Sequence, residues 1–164
     1  MTISTAENLL SWLRDAHAIE EQAERLFSGQ STRLKDYPEL SRLLLAEVNI
    51  SQDNQRLLSI RIQQLLGGGS SVLKDAAGKL MAMGQNFIGT LMADEQVKGV
   101  LSLYTLTHLG IGSYTILIKA ADAAGDIETK NLCKTILLQY KSRAMWLERY
   151  LQEITAWFLE KSAA

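Results

Sequence analysis

One proline, Pro38, stands in the 164 residues, and that scarcity constrains the chain more than any other feature. Proline breaks helix interiors because it lacks a backbone donor and its ring collides with the preceding turn. A chain that has almost none, and that shows a 3.6-residue apolar period in four long stretches, reads as helical throughout. Ser4 and Glu7 form a capping box at the start of the first helix. Its seam runs Leu9, Leu13, Ala16, Glu20, Ala23 and Phe27 until Gly29, where the helix is expected to stop. Asp36, Pro38 and Glu39 open the second, whose seam reads Leu40, Leu43, Glu47, Ile50, Asn54, Leu57 and Leu65 before Gly67-Gly68-Gly69. Asp94 is expected to cap a third, running through Val97, Leu101, Tyr104, His108, Ile111, Thr115 and Ile118 to Gly125. Asp126 begins a fourth, with Leu132, Ile136, Gln139, Arg143, Trp146 or Leu147, Tyr150, Ile154 and Trp157. No alternating strand pattern competes, so the expected fold class is all-α.

The spacing predicts long helices over about 5–28, 37–66, 95–124 and 127–161, within a single domain spanning 1–164. The links near residues 28–35 and at Gly125 are short, and each makes its two helices antiparallel neighbours. The connection over about 67–93 is long and contains a further helix-compatible stretch around 72–91. Two antiparallel hairpins joined by one long crossover make the ferritin-like form of the four-helix bundle.

Charge and cysteine content exclude several function classes. Seventeen Lys plus Arg against eighteen Asp plus Glu leave a net charge of −1, with no basic patch for a nucleic acid. The single cysteine, Cys133, excludes an internal disulfide and a Cys-rich zinc site. The N-terminal residues show no basic segment followed by an apolar core, which gives the expectation of a cytoplasmic protein. The uncharged stretch from Gly99 to Ile118 is long enough to cross a bilayer, but glycine, histidine and hydroxyl residues interrupt it. It is read as a buried bundle helix, with no membrane partner. Gly110-Ile111-Gly112 lies within a helical pattern without a preceding strand, and Gly67-Gly-Gly-Ser-Ser71 lacks the lysine of a phosphate loop.

Polar residues in the seams carry the remaining information. Glu20 falls in the first seam, between His17 and Glu24, and Glu47 falls near the second. A buried, unpaired carboxylate costs several kcal/mol, so each must be exposed, protonated, paired or metal-bound. Arg143, Lys141 or a water are candidate partners. His17 reads as a helix-face histidine, and Trp12, Trp146 and Trp157 as core or interface anchors.

Several local strings resemble the YciE/YciF-type ferritin-like proteins. These are Asp15-Ala-His-Ala-Ile-Glu-Glu-Gln-Ala-Glu24, Tyr37-Pro-Glu-Leu40, Lys74-Asp75, Met81–Gln85, Ser113-Tyr-Thr115 and Ala123-Ala-Gly-Asp126. The resemblance spans about Trp12 to Trp146. It implies a ferritin-like bundle, usually homodimeric, associated with bacterial stress responses and carrying a dinuclear metal site between its helices. Carried over position by position, Glu20 matches the family's first-helix carboxylate. The second-helix histidine and glutamate fall within Glu47 to Ser51. The third-helix glutamate falls at Gly110, and the paired fourth-helix glutamates fall at Gln139 and Tyr140.

The residues point the same way without the family. A di-iron carboxylate bundle takes a Glu from each of two helices and a Glu-x-x-His from each of the others. No Glu-x-x-His occurs in this chain, the third helix has no carboxylate between Glu95 and Asp122, and the fourth has none between Glu128 and Glu148. The expectation is therefore a ferritin-like scaffold with no metal and no cofactor, Glu20 and Glu47 being vestiges and Gly110, Gln139 and Tyr140 the positions of lost ligands. Such a protein would be structural or interaction-based, a homodimer with a further protein partner open. The alternative is an iron- or manganese-binding oxidoreductase or iron-handling protein with an atypical site on Glu20 and Glu47. A glycine at position 110, costly within a helix, further implies that a neighbour such as Tyr140 or Tyr114 fills its space.

Overall fold

A computed structural model describes residues 3–67 and 94–164. The chain forms α1 (Thr5–Arg33), α2 (Pro38–Leu65), α3 (Glu95–Ala123) and α4 (Ile127–Ala163), with no strand among the described residues. The expected short helix around 72–91 lies outside them.

The capping box is present: the Ser4 amide donates to the Glu7 carboxylate at 2.7 Å, and the Glu7 amide to Ser4 Oγ at 3.2 Å. Asp126 likewise accepts from the Thr129 amide at 3.0 Å. Two other helix starts differ from expectation. Tyr37, not Asp36, is the N-cap of α2 and makes no side-chain bond there. Asp94 occupies the cap of α3, but its carboxylate pairs with Lys98 at 3.2 Å instead of an end amide. Gly29 does not end α1, which continues to Arg33. A single glycine costs only about 1 kcal/mol in a helix, and burial of Gln30 and Ser31 beyond it holds the extra turn.

Neighbouring helices are antiparallel. The end of α1 meets the start of α3 through Arg33 and Glu95, 3.2 Å apart. The end of α2 meets the start of α4 through Arg61, whose Nε donates to Thr129 at 2.7 Å and whose Nη2 reaches Asp126 at 2.7 Å. Thus α2 ends and α3 begins at opposite ends of the bundle, and a long crossover must join them, as the ferritin-like topology requires. α1 packs closely on α2, and α3 on α4, whereas α2 and α4 approach closely at few places. Polar bridges span that wider seam at Glu47–Arg143, Asn54–Gln139 and Arg61–Asp126.

The expected core holds in full on α1 and in most positions on α4. On α2 the inward face is Leu40, Leu44, Glu47, Ser51, Asn54, Leu58 and Ile62, so Leu43, Ile50, Leu57 and Leu65 are displaced outward by a residue or more. On α3 the inward face is a different one altogether: Val100, Leu103, Thr107, Gly110, Tyr114 and Leu117, among others. Every seam position expected there, from Val97 to Ile118, is half-buried or exposed. The cause is that α3 is apolar all round, so hydrophobic period alone does not select its buried side. α3 is also long and apolar enough to cross a membrane by length and composition, and its outer face is exposed, contrary to the reading of a wholly buried helix.

Candidate functional site

Midway along the bundle, each helix delivers polar side chains to a shared interior. α1 contributes Glu20, α2 Glu47, Ser51 and Asn54, α3 Tyr114, and α4 Gln139, Tyr140 and Arg143. Glu20, Ser51, Asn54, Tyr114, Tyr140 and Arg143 are at most 1% exposed, and Glu47 is 8% exposed. A fully buried guanidinium is rare and needs compensation.

Arg143 finds it on α2. Its Nε donates to Glu47 Oε2 at 2.8 Å, and Nη2 lies 2.6 Å from the same oxygen in a less well-aligned contact. The guanidinium carbon sits 4.3 Å from the centre of the Tyr140 ring and 4.7 Å from that of Phe27, so its flat faces meet π-electron density. Burial acts against its charge, but Tyr140 and Glu47 outweigh burial and raise its hold on the proton.

Glu20 lies across the interior from that ion pair. The Tyr114 hydroxyl donates to Glu20 Oε1 at 2.6 Å. Burial pushes the Glu20 carboxyl above its ordinary range, and Tyr114, Arg143, Tyr140 and Asn54 oppose the shift without cancelling it. Tyr140 is near enough to exert that influence, but its hydroxyl and Glu20 Oε2 are both buried without an aligned hydrogen-bond partner. Burial and the neighbouring Glu20 drive the Tyr114 and Tyr140 phenols well above their usual range, so both remain protonated. Asn54 Nδ2 donates to Gln139 Oε1 at 2.9 Å.

The structure thus brings together Glu20, Glu47, Gly110, Gln139 and Tyr140. Gly110 faces Tyr140, as its cost implied: a Cβ there would lie 1.9 Å from Tyr140 Cε1. Of the stretch Glu47 to Ser51, only its two end residues are buried. His17 stands on the rim beside Glu21, 3.9 Å away, and burial lowers its pKa. The sequence names Tyr114 only as a neighbour for Gly110; its bond to Glu20 is hidden there because the apolar period of α3 does not select its buried face. The i, i+4 relation of Tyr114 to Gly110 was the available signal.

The donor set does not fit a dinuclear carboxylate centre. Among the described residues, two carboxylates reach the interior, one of them engaged by a guanidinium, and the rest are phenols, amides and a hydroxyl. Hard divalent ions prefer several anionic oxygens, and a fixed cation within the cluster repels them. Among the described residues, no three His, Cys, Asp or Glu side chains converge as metal ligands. A separate cleft of about 580 Å³ opens at the Gly125 end, lined by Leu10, Leu65, Arg61 and Asp126 among others. Its arginine is already engaged by the contacts described above.

A bundle of this topology, with its polar residues at mid-height, defines a ferritin-like protein. The chain belongs to the family described as a domain of unknown function, DUF892, whose model matches residues 4–160. A crystal structure of a protein from Xanthomonas campestris pv. campestris is similar at 32% identity and TM-score 0.79, over 98% of this chain and 99% of that one. The Escherichia coli stress protein YciF matches at 18% identity and TM-score 0.72, over 94% and 99%. A Desulfovibrio desulfuricans bacterioferritin, whose structure was determined for its diiron site, matches at 17% and 0.70, over 95% and 87%. The family match and these shared folds bear out the YciE/YciF-type ferritin-like resemblance.

Proposed function

We propose that this protein is a structural or interaction member of the ferritin-like group, of the stress-associated kind, whose centre is organised by an internal cation instead of a di-iron pair. The observation that carries this reading is Arg143: buried, ion-paired to Glu47 and stacked between Phe27 and Tyr140. It supplies positive charge to an interior that also holds Glu20, the role a metal plays in a carboxylate bundle. The absence of Glu-x-x-His and of mid-helix carboxylates on α3 and α4 supports the same reading.

Elemental analysis of the purified protein, followed by iron and manganese titration, tests the proposal. The expected result is less than one equivalent of bound metal and no ferroxidase activity. Melts with and without a chelator should coincide, because a bound metal would otherwise add about 2.7 kcal/mol at a hundredfold excess over its Kd. Two tightly held metals per chain would overturn the reading and favour the oxidoreductase or iron-handling alternative.

A further inference from the structure

We propose that the bundle's centre is a binding site for one buried water molecule, bridging Glu20 of α1, Ser51 of α2, and Tyr140 and Arg143 of α4. The proposal rests on the reading of that centre as metal-free and says what completes it.

Buried polar atoms without an aligned partner gather here. Of nine such side-chain atoms among the described residues, five belong to this one place: Glu20 Oε2, Ser51 Oγ, Tyr140 Oη, and Nη1 and Nη2 of Arg143. All four side chains are at most 1% exposed. Native interiors nearly always give such groups a protein or water partner. The Tyr140 ring is held in place by the guanidinium of Arg143 at 4.3 Å, by the Tyr114 ring at 5.3 Å and by the backbone at Gly110. That packing fixes where its hydroxyl points. The hydroxyl lies within electrostatic reach of both Glu20 and Arg143, yet it is aligned with neither. A bridging water suits polar groups placed in this way. Ser51 comes to the same place from α2. Glu47, one turn before it, holds Arg143, and Asn54, three residues after it, acts on Glu20.

The chemistry of the four groups selects water over an ion. Arg143, Tyr140 and Ser51 offer donors, while Glu20 Oε2 is a carboxyl oxygen. The charges of Arg143 and Glu47 offset each other. An anion would therefore face Glu20, and a hard cation would face the guanidinium. A neutral molecule meets neither repulsion. Glu20 also needs a partner that accepts while the carboxyl keeps its proton and donates once the proton is gone. Water does both by turning, whereas a fixed amide or ammonium donor does only one. Four partners match the two to four hydrogen bonds that typically hold a buried water.

An atomic-resolution crystal structure of the full chain, with elemental analysis of the same preparation, tests this. The expected density is a single oxygen within about 3.2 Å of at least three of the four side chains. In solution, oxygen-17 relaxation dispersion should count one long-lived water fewer in Ser51→Val, whose methyl groups remove the hydroxyl and fill the site. Circular dichroism confirms that the variant folds. Tyr140 Oη bonded directly to Glu20 Oε2 in metal-free protein would overturn this proposal and leave the proposed function standing. So would an anomalous bromide peak at the site after soaking, which would mark an anion, or an unchanged water count in folded Ser51→Val. Iron or manganese at the centre would overturn both readings.

Discussion

Tyr140 occupies the volume that a side chain at Gly110 would need, its Cε1 lying 1.9 Å from where a Cβ would stand. Gly110→Ala should therefore cost about 1–3 kcal/mol through overpacking, although alanine is the better helix former by about 1 kcal/mol. In a Tyr140→Ala background the same change should become neutral or stabilising. Urea unfolding of the four proteins gives the cycle, and an equal cost in both backgrounds would refute the relationship.

Removing one partner of the buried ion pair should be far worse than removing both. Arg143→Met strands Glu47 and is expected to cost about 3–5 kcal/mol. Arg143→Met with Glu47→Leu should recover most of that loss, because the desolvation penalty then disappears from both sides. Arg143→Lys should not substitute, since an ammonium keeps the charge but lacks the flat faces that meet Phe27 and Tyr140. Denaturation midpoints decide the order.

The pH dependence of stability should carry a signature of Glu20. Its folded pKa is raised above the ordinary 4.5, chiefly by burial. The folded state therefore holds this proton more tightly than the unfolded chain does, and stability from this group is full below about 4.5. It is lost as pH rises through the raised folded value. Glu20→Gln removes the titration while leaving an oxygen for the Tyr114 hydroxyl. The variant should thus gain on the parent as pH rises from 4.5, and paired melts across that range would show it. A variant that loses ground to the parent with rising pH would contradict the assignment.

Cys133 should be inert in the native protein. It is fully buried, and burial pushes its thiol up to about 12. At about pH 8 the thiolate fraction is on the order of one in ten thousand. A disulfide reagent should react only after unfolding. Rapid native labelling would mean that the start of α4 opens readily.

The sequence made the four helices legible because proline scarcity, the Ser4–Glu7 box and the cap at Asp126 act locally. It also placed Glu20 and Arg143 inward, since α1 and α4 alternate clearly between charged and apolar faces, and Glu47 near the seam of α2. α3 was illegible for the opposite reason: an apolar residue lies on nearly every side, so the burial of Tyr114 depends on what the neighbouring helices offer. The pairing of Arg143 with Glu47 was also not fixed by either helix alone, because it depends on how α4 docks against α2.

The guanidinium of Arg143 is joined to the chain by covalent bonds, and that has a consequence for the life of the protein in a cell. Its positive charge is present as soon as α4 has been synthesised, with no metal-loading step and no delivery protein. It does not leave under iron starvation, does not change oxidation state and does not exchange for a competing ion. If the proposal holds, a bundle closed around such a charge reaches the same folded form whether metals are scarce or abundant. On the proposed reading, this centre is blind to metal supply, and a response to stress would enter through the surface.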